Sequence, residues 1–165
     1  MLGGEDRRSI GRSNAVVKLV QQGPKRFAEL IHCLWDNDEV VRMRAADAAE
    51  KISAAQPALL RRYKAELLGL LMETEQIELR WHLAQMVPRL SLTAAERQRA
   101  AATLELYLED RSSIVRTFAL QALTDLSQYD ASLRGHVRKL LEEALRSGSA
   151  AMKARARKLL KARTG

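Results

Sequence analysis

Three histidines, one cysteine and a few helix-spaced acid–base pairs are the residues of this chain that could do chemistry. His32 and Cys33 could in principle act as base and nucleophile. As neighbours on a helix they would point about 100° apart, a poor arrangement for sharing a proton or a metal. Ordinary packing suits them better, with Cys33 as a small apolar residue. Glu78 and His82 stand four apart, on one helical face, which suits a local hydrogen bond rather than acid–base catalysis. His32, His82 and His136 show no metal-ligand spacing. A single thiol excludes an internal disulfide and any multi-cysteine metal site. The chain has no glycine-rich phosphate loop, no H-E-x-x-H and no G-x-S-x-G. We therefore assign no catalytic residue, no cofactor and no metal.

Basic residues are the richer signal. Arg42, Arg44, Arg80, His82, Arg116, Lys153 and Arg155 recur at a near-constant interval. Met43 and Trp81 share a column two positions past the apolar Val41 and Leu79. Two helical steps rotate a side chain by about 200°, away from a core on the Val41–Leu79 side. Met43, Arg44, Arg80 and Trp81 are therefore the expected contact patch for a protein partner. The net charge of +8 sits at one end: residues 131–165 hold ten bases and two acids, whereas 1–130 hold eighteen of each sign. Lys153, Arg155, Arg157, Lys158 and Lys161 form a candidate anion-binding run, or the polar cap that a repeat array needs at its end.

These residues need elements to hold them, and composition says which. Ala and Leu supply 51 of the 165 residues, Val and Ile only 13, and prolines number three. That balance favours helix over sheet. No run of about 18 apolar residues is present, so no membrane-spanning helix is expected and membrane binding is disfavoured. The opening MLGGEDRRSIGRS lacks the apolar stretch of a secretory signal and reads as a flexible tail over 1–12, before one domain over 13–165. With one cysteine, a cytoplasmic location is the expectation.

The segments DNDEVVRMRAADAAEKI, TEQIELRWHLAQMVPRL, DRSSIVRTFALQALTDL and SGSAAMKARARKLLKAR align as copies. An apolar residue followed by a base recurs as Val41-Arg42, Leu79-Arg80, Val115-Arg116 and Met152-Lys153, at spacings of 38, 36 and 37. Apolar residues four, eight and eleven positions on from the first keep one helical face apolar, except at Arg163. Upstream, Leu30, Leu68, Leu104 and Leu141 share one column, and Leu34, Met72, Leu108 and Leu145 another. Each unit thus reads as two amphipathic helices. The first helices are expected over 24–35, 57–73, 94–109 and 132–146, and the second over 38–53, 76–90, 112–127 and 150–163. A further helix is expected near 14–21. Pro24 and Pro57 suit first helical positions. Thr93 with Glu96 forms a capping box, Asp36 with Glu39 resembles one, and Asp130 can cap the helix from Ala131. Pro88 should kink or end its helix.

This pattern resembles the HEAT-repeat class of armadillo-type α-solenoids: antiparallel helix pairs, short turns, and D-x5-R followed by small apolar residues. The resemblance implies an all-α, right-handed α–α superhelix of about four helix pairs plus the N-terminal helix. It also implies a ladder of Asp and Arg between repeats, matched here by Asp36 with Arg42 and by Asp110 with Arg116. The copies from Thr74 and Ser147 lack the Asp. Arrays of this class mostly present binding surfaces. The expected function is a non-catalytic scaffold or adaptor that binds a protein partner. The alternative is nucleic-acid binding through the basic C-terminal end, with a relation to the HEAT-like DNA glycosylases, to which Arg80, Trp81 and Trp35 give a superficial likeness. Neither oligomeric state nor the partner's identity follows from these residues.

Overall fold

In the computed structural model, residues 13–23 and 25–163 are described. The tail expected over 1–12 and the helix start at Pro24 lie outside the described residues. A first helix, α1 (Ser13–Gln22), precedes four pairs: α2 (Arg26–His32) with α3 (Glu39–Ala55), α4 (Lys64–Glu73) with α5 (Ile77–Met86), α6 (Ala94–Tyr107) with α7 (Ser113–Gln128), and α8 (Ala131–Ser147) with α9 (Ala150–Arg163). The described residues contain no β-strand. The second helices pack in succession, α3 on α5, α5 on α7 and α7 on α9. The first helices flank this row, α6 on α7 and α8 on both α7 and α9.

Local chemistry sets the boundaries. Thr93 and Glu96 form the full capping box: Thr93 Oγ1 accepts the Glu96 amide at 3.2 Å and the Glu96 carboxylate accepts the Thr93 amide at 2.7 Å. Lys64, bonded to the same carboxylate at 2.8 Å, and the Thr93 amide hold the Glu96 carboxyl down at about 2. Asp130 caps α8 through the Ser132 amide. At the start of α3 the cap is Asp38, whose carboxylate accepts the Val40 amide at 2.8 Å. Asp36 instead accepts the Asp38 amide and shapes the turn, so the expected Asp36–Glu39 box is replaced by two successive aspartate turns. Pro88 does end its helix: α5 stops at Met86, and Val87–Arg89 tightens into a 3₁₀ turn.

The column read across the second helices is buried almost throughout. Leu79, Val115 and Met152 are buried, as are Ala45, Leu83, Ala119 and Ala156, then Ala49, Val87 and Leu123, then Ile52, Leu90 and Leu126. Ala45, Ala46, Ala48 and Ala49 are wholly buried, and their small size lets α3 lie close to both α1 and α5. The first-helix column slips in one place. Pro57–Tyr63 winds as 3₁₀, and α4 begins only at Lys64. Those residues turn by about 120° each rather than about 100°, so α4 enters at a different phase. Leu67, Leu70 and Leu71 are buried there in place of Leu68 and Met72, and Met72 is 63% exposed.

Gly148 closes the turn between α8 and α9. A Cβ at this position would lie 2.4 Å from the Ala144 carbonyl oxygen and 2.9 Å from Met152 Cβ. The obstruction is backbone and cannot swing aside. Gly148→Ala is expected to cost about 2 kcal/mol in urea denaturation; an unchanged midpoint would show that the turn yields freely.

Candidate functional site

The arginine column is built from the turns upward. Arg42, Arg80 and Arg116 each donate to the main-chain carbonyl six residues earlier in their own repeat: Asp36 at 2.7 Å, Thr74 at 2.8 Å and Asp110 at 2.6 Å. Two of them also reach the next repeat. Arg42 Nε donates to Gln76 Oε1 at 2.7 Å, and Arg80 Nη1 to Asp110 Oδ2 at 2.7 Å. Gln76 returns a bond to the Glu39 carbonyl at 2.9 Å. The matched pairs Asp36–Arg42 and Asp110–Arg116 thus meet through carbonyls, not carboxylates. Burial alone would push the Asp110 carboxyl up, but the Ser112 amide and Arg80 outweigh it and hold it below the usual carboxylate range. Between the last two repeats, Ser113 and Ser149 share a hydroxyl hydrogen bond of 2.7 Å.

A second column lies two residues further along the second helices and holds Arg44, His82, Phe118 and Arg155. Here side chains from successive repeats stack. The Trp81 ring lies 3.5 Å from His82 and 5.6 Å from Phe118, both stacked, and the Arg155 guanidinium sits 5.3 Å over Phe118. Beside this stack runs a groove of about 810 Å³, lined by residues of α5, α7 and α9 and the segment after Pro88, including Gln85, Arg89, Phe118, Gln121, Asp125 and Arg155. Arg155 Nη1 donates to Gln121 Oε1 at 2.9 Å, and Gln121 Nε2 donates to Asp125 at 2.8 Å. Burial pushes the Asp125 carboxyl up, against Gln121 and the positive charges of Arg155 and Arg89. Arg89 is held by Glu50 and Ser53, and Arg97 pairs with Asp130 at 3.9 Å.

The expected contact patch does not form as one exposed face. Arg44 is 3% exposed, Met43 and Trp81 are half-buried, and Arg80 is engaged in the arginine column. A helix with one buried side would turn Met43 and Trp81 outward, but these helices are covered on several sides. In the array, α5 has α3 and α7 on two sides and α4 on a third, and α7 has α5 and α9 on two sides and both α6 and α8 against it. The basic run also divides. Arg157, Lys158 and Lys161 are exposed on α9, whereas Lys153 is half-buried and Arg155 turns into the groove. His82 Nδ1 meets the Glu78 carbonyl, not its carboxylate, at 2.6 Å. Cys33 packs half-buried against the core, His32 is exposed, and His136 meets Glu105 at 3.1 Å. Among the described residues no three His, Cys, Asp or Glu are grouped to hold a metal ion, and no helix is long and apolar enough to cross a membrane.

Antiparallel helix pairs stacked in register, tied through their turns and grooved along the second helices, define an α-solenoid. The family model of the HEAT repeat domain matches residues 5–162, and the chain belongs to the HEAT repeat family. No curated protein matches the chain, and no solved structure does. HEAT repeats generally serve as protein-interaction scaffolds. Phe118, Gln121 and Asp125 were not anticipated as site residues. Their signal was the repeat register itself: Phe118 stands in the Arg44–His82–Arg155 column, and Asp125 in the column of Lys51 and Arg89.

Proposed function

We propose that the chain is a non-catalytic scaffold that holds a segment of a protein partner in the groove between α5, α7 and α9. The observation that carries this reading is the Trp81–Phe118–Arg155 stack along a large open groove with amides and one carboxylate beside it. Aromatic rings with Arg are the types that concentrate binding energy at protein interfaces. The charge pattern supports a protein over a nucleic acid. Arg89 and Arg97 are paired with acids, and Asp125 stands near Arg155, so the groove offers no row of cations to a phosphate backbone. The exposed Arg157, Lys158 and Lys161 give the nucleic-acid reading its own, separate location on α9.

A photo-crosslinking residue at Tyr129, which borders the groove and is 70% exposed, tests the reading. It is expected to trap a specific protein. Phe118→Ala should weaken that partner by about 2 kcal/mol, roughly thirtyfold, and charge reversal of Arg157, Lys158 and Lys161 should leave it intact. The reading fails if Phe118→Ala changes nothing, or if duplex DNA binds at about 50 mM salt and only the charge reversal abolishes binding.

A further inference from the structure

We infer that Arg155 is a preorganised receptor for a carboxylate, and that the partner segment presents an Asp or Glu side chain to it. This rests on the groove reading above and names the chemistry the groove selects. The guanidinium is held in two ways. Its central carbon lies over the Phe118 ring, 5.3 Å from the centroid, and Nη1 is bonded to Gln121 Oε1 at 2.9 Å. Gln121 is itself fixed, because its amide donates to Asp125 at 2.8 Å. A long side chain that normally loses much rotamer freedom on binding is therefore already ordered.

What remains of the guanidinium is unspent. Among the described residues Arg155 has no salt bridge and no acceptor besides Gln121, so most of its N–H groups keep no protein partner. The half-buried side chain lines the groove, where those donors are open to an occupant. Gln121 sits between Arg155 and Asp125 in the hydrogen-bond chain. Direct contact between the two would neutralise both; the interposed amide instead relays one bond and leaves the cation its charge. The other cations lining the groove, Arg89 and Arg97, are each committed to an acid. Arg155 thus offers one fixed planar fork, the shape that receives a carboxylate through two parallel bonds.

A protein carboxylate fits this arrangement better than a phosphate chain. A polyanion needs cations in series, and the groove lining offers Arg155 alone, because Arg89 and Arg97 are already paired with acids. A single acidic side chain needs one receptor and apolar surroundings for its neighbours, which Phe118, Leu92 and Leu126 supply.

The test selects short random peptides displayed against the full chain, keeping those whose binding Phe118→Ala destroys. Selected peptides are then compared with copies in which Asp or Glu is changed to Asn or Gln, by fluorescence anisotropy. The expected result is an acidic residue at a fixed position. Neutralising it, or introducing Arg155→Gln, should each weaken binding about ten- to a hundredfold, and the two changes together should cost little more than either alone. Arg155→Lys, keeping the charge without the fork, should recover only part of the loss. Groove-dependent peptides with no acidic preference, or losses that simply add, would overturn the carboxylate receptor and leave the groove reading standing. Mixed-sequence single-stranded DNA bound through Arg155 would overturn it too. If no peptide depends on Phe118, the groove reading itself falls, and this inference with it. Thermal melts of each variant confirm that the fold persists.

Discussion

Arg80→Ala is expected to remove about 3 kcal/mol of stability, measured as a shift of the urea midpoint at neutral pH. The guanidinium joins three groups at one point: the Thr74 carbonyl, the Asp110 carboxylate at 2.7 Å and the Tyr107 ring at 5.2 Å. The Asp110 side chain is only 2% exposed, so losing Arg80 strands a buried charge; Arg80 itself is 27% exposed, which moderates the cost. The pH dependence follows from the lowered Asp110 carboxyl. A group depressed in the folded state stabilises above its unfolded value, near 4, and that contribution disappears as pH falls through the folded value. The deficit of Arg80→Ala should therefore shrink in strong acid. Adding Asp110→Asn to Arg80→Ala should recover part of the loss at neutral pH. A deficit under about 1 kcal/mol would reduce Arg80 to a surface ion pair.

The second large effect lies at the alkaline end of the same junction. Tyr107 is 5% exposed, and its hydroxyl donates to the Leu71 carbonyl at 2.5 Å, tying α6 to α4. Burial pushes the phenol up to about 12 from 10.0, although the nearby Arg80 opposes the rise. A group raised in the folded state stabilises fully below its unfolded value and loses that contribution as pH climbs through the folded one. The window is therefore about pH 10 to 12, and the loss across it is about 3 kcal/mol. Tyr107→Phe should cost about 1–2 kcal/mol at neutral pH by leaving the Leu71 carbonyl unpaired. It should also flatten the alkaline decline relative to wild type, because the titrating group is gone. Melting temperatures of the two proteins from pH 9 to 12 would show this; parallel curves would assign the decline to other groups.

Much of the fold was legible because the buried column of the second helices repeats residue types as well as spacing. Leu79, Val115 and Met152 occupy equivalent places, and Pro88, Thr93 and Asp130 act locally, so a neighbour-free reading suffices for them. The arginine column was harder to read. Its expected Asp partners are missing in two copies, yet the bonds from Arg42, Arg80 and Arg116 go to main-chain carbonyls, which every residue supplies. Thr74 therefore serves as well as Asp36. The link across to Gln76 involves a residue type that no aspartate pattern would flag. Met43, Arg44, Arg80 and Trp81 do not share one outward face, because a helix inside a solenoid is covered on several sides, which a single helical face cannot reveal. The groove needed three-dimensional neighbours: Phe118 and Gln121 lie on α7 and Arg155 on α9, more than thirty residues on, and no short motif contains all three.

Arg42 and Arg80 each bond in two directions, closing their own turn and gripping the next repeat. A turn that opens therefore loosens its neighbour, and the array behaves as a one-dimensional chain with strong nearest-neighbour coupling at its first two junctions. The third junction is different. Among the described residues the Arg116 side chain bonds only the Asp110 carbonyl, so the turn-to-turn link there is a neutral contact between Ser113 and Ser149, while Arg155 reaches back from α9 to Gln121 and Phe118. Fraying should accordingly begin at the α8–α9 end, with amide protons there exchanging through openings smaller than global unfolding. Arg155 rides on that end. A ligand held between α5, α7 and α9 would clamp the loosest repeat onto the stiff ones, so occupancy of the groove would be read out as cooperativity along the whole chain.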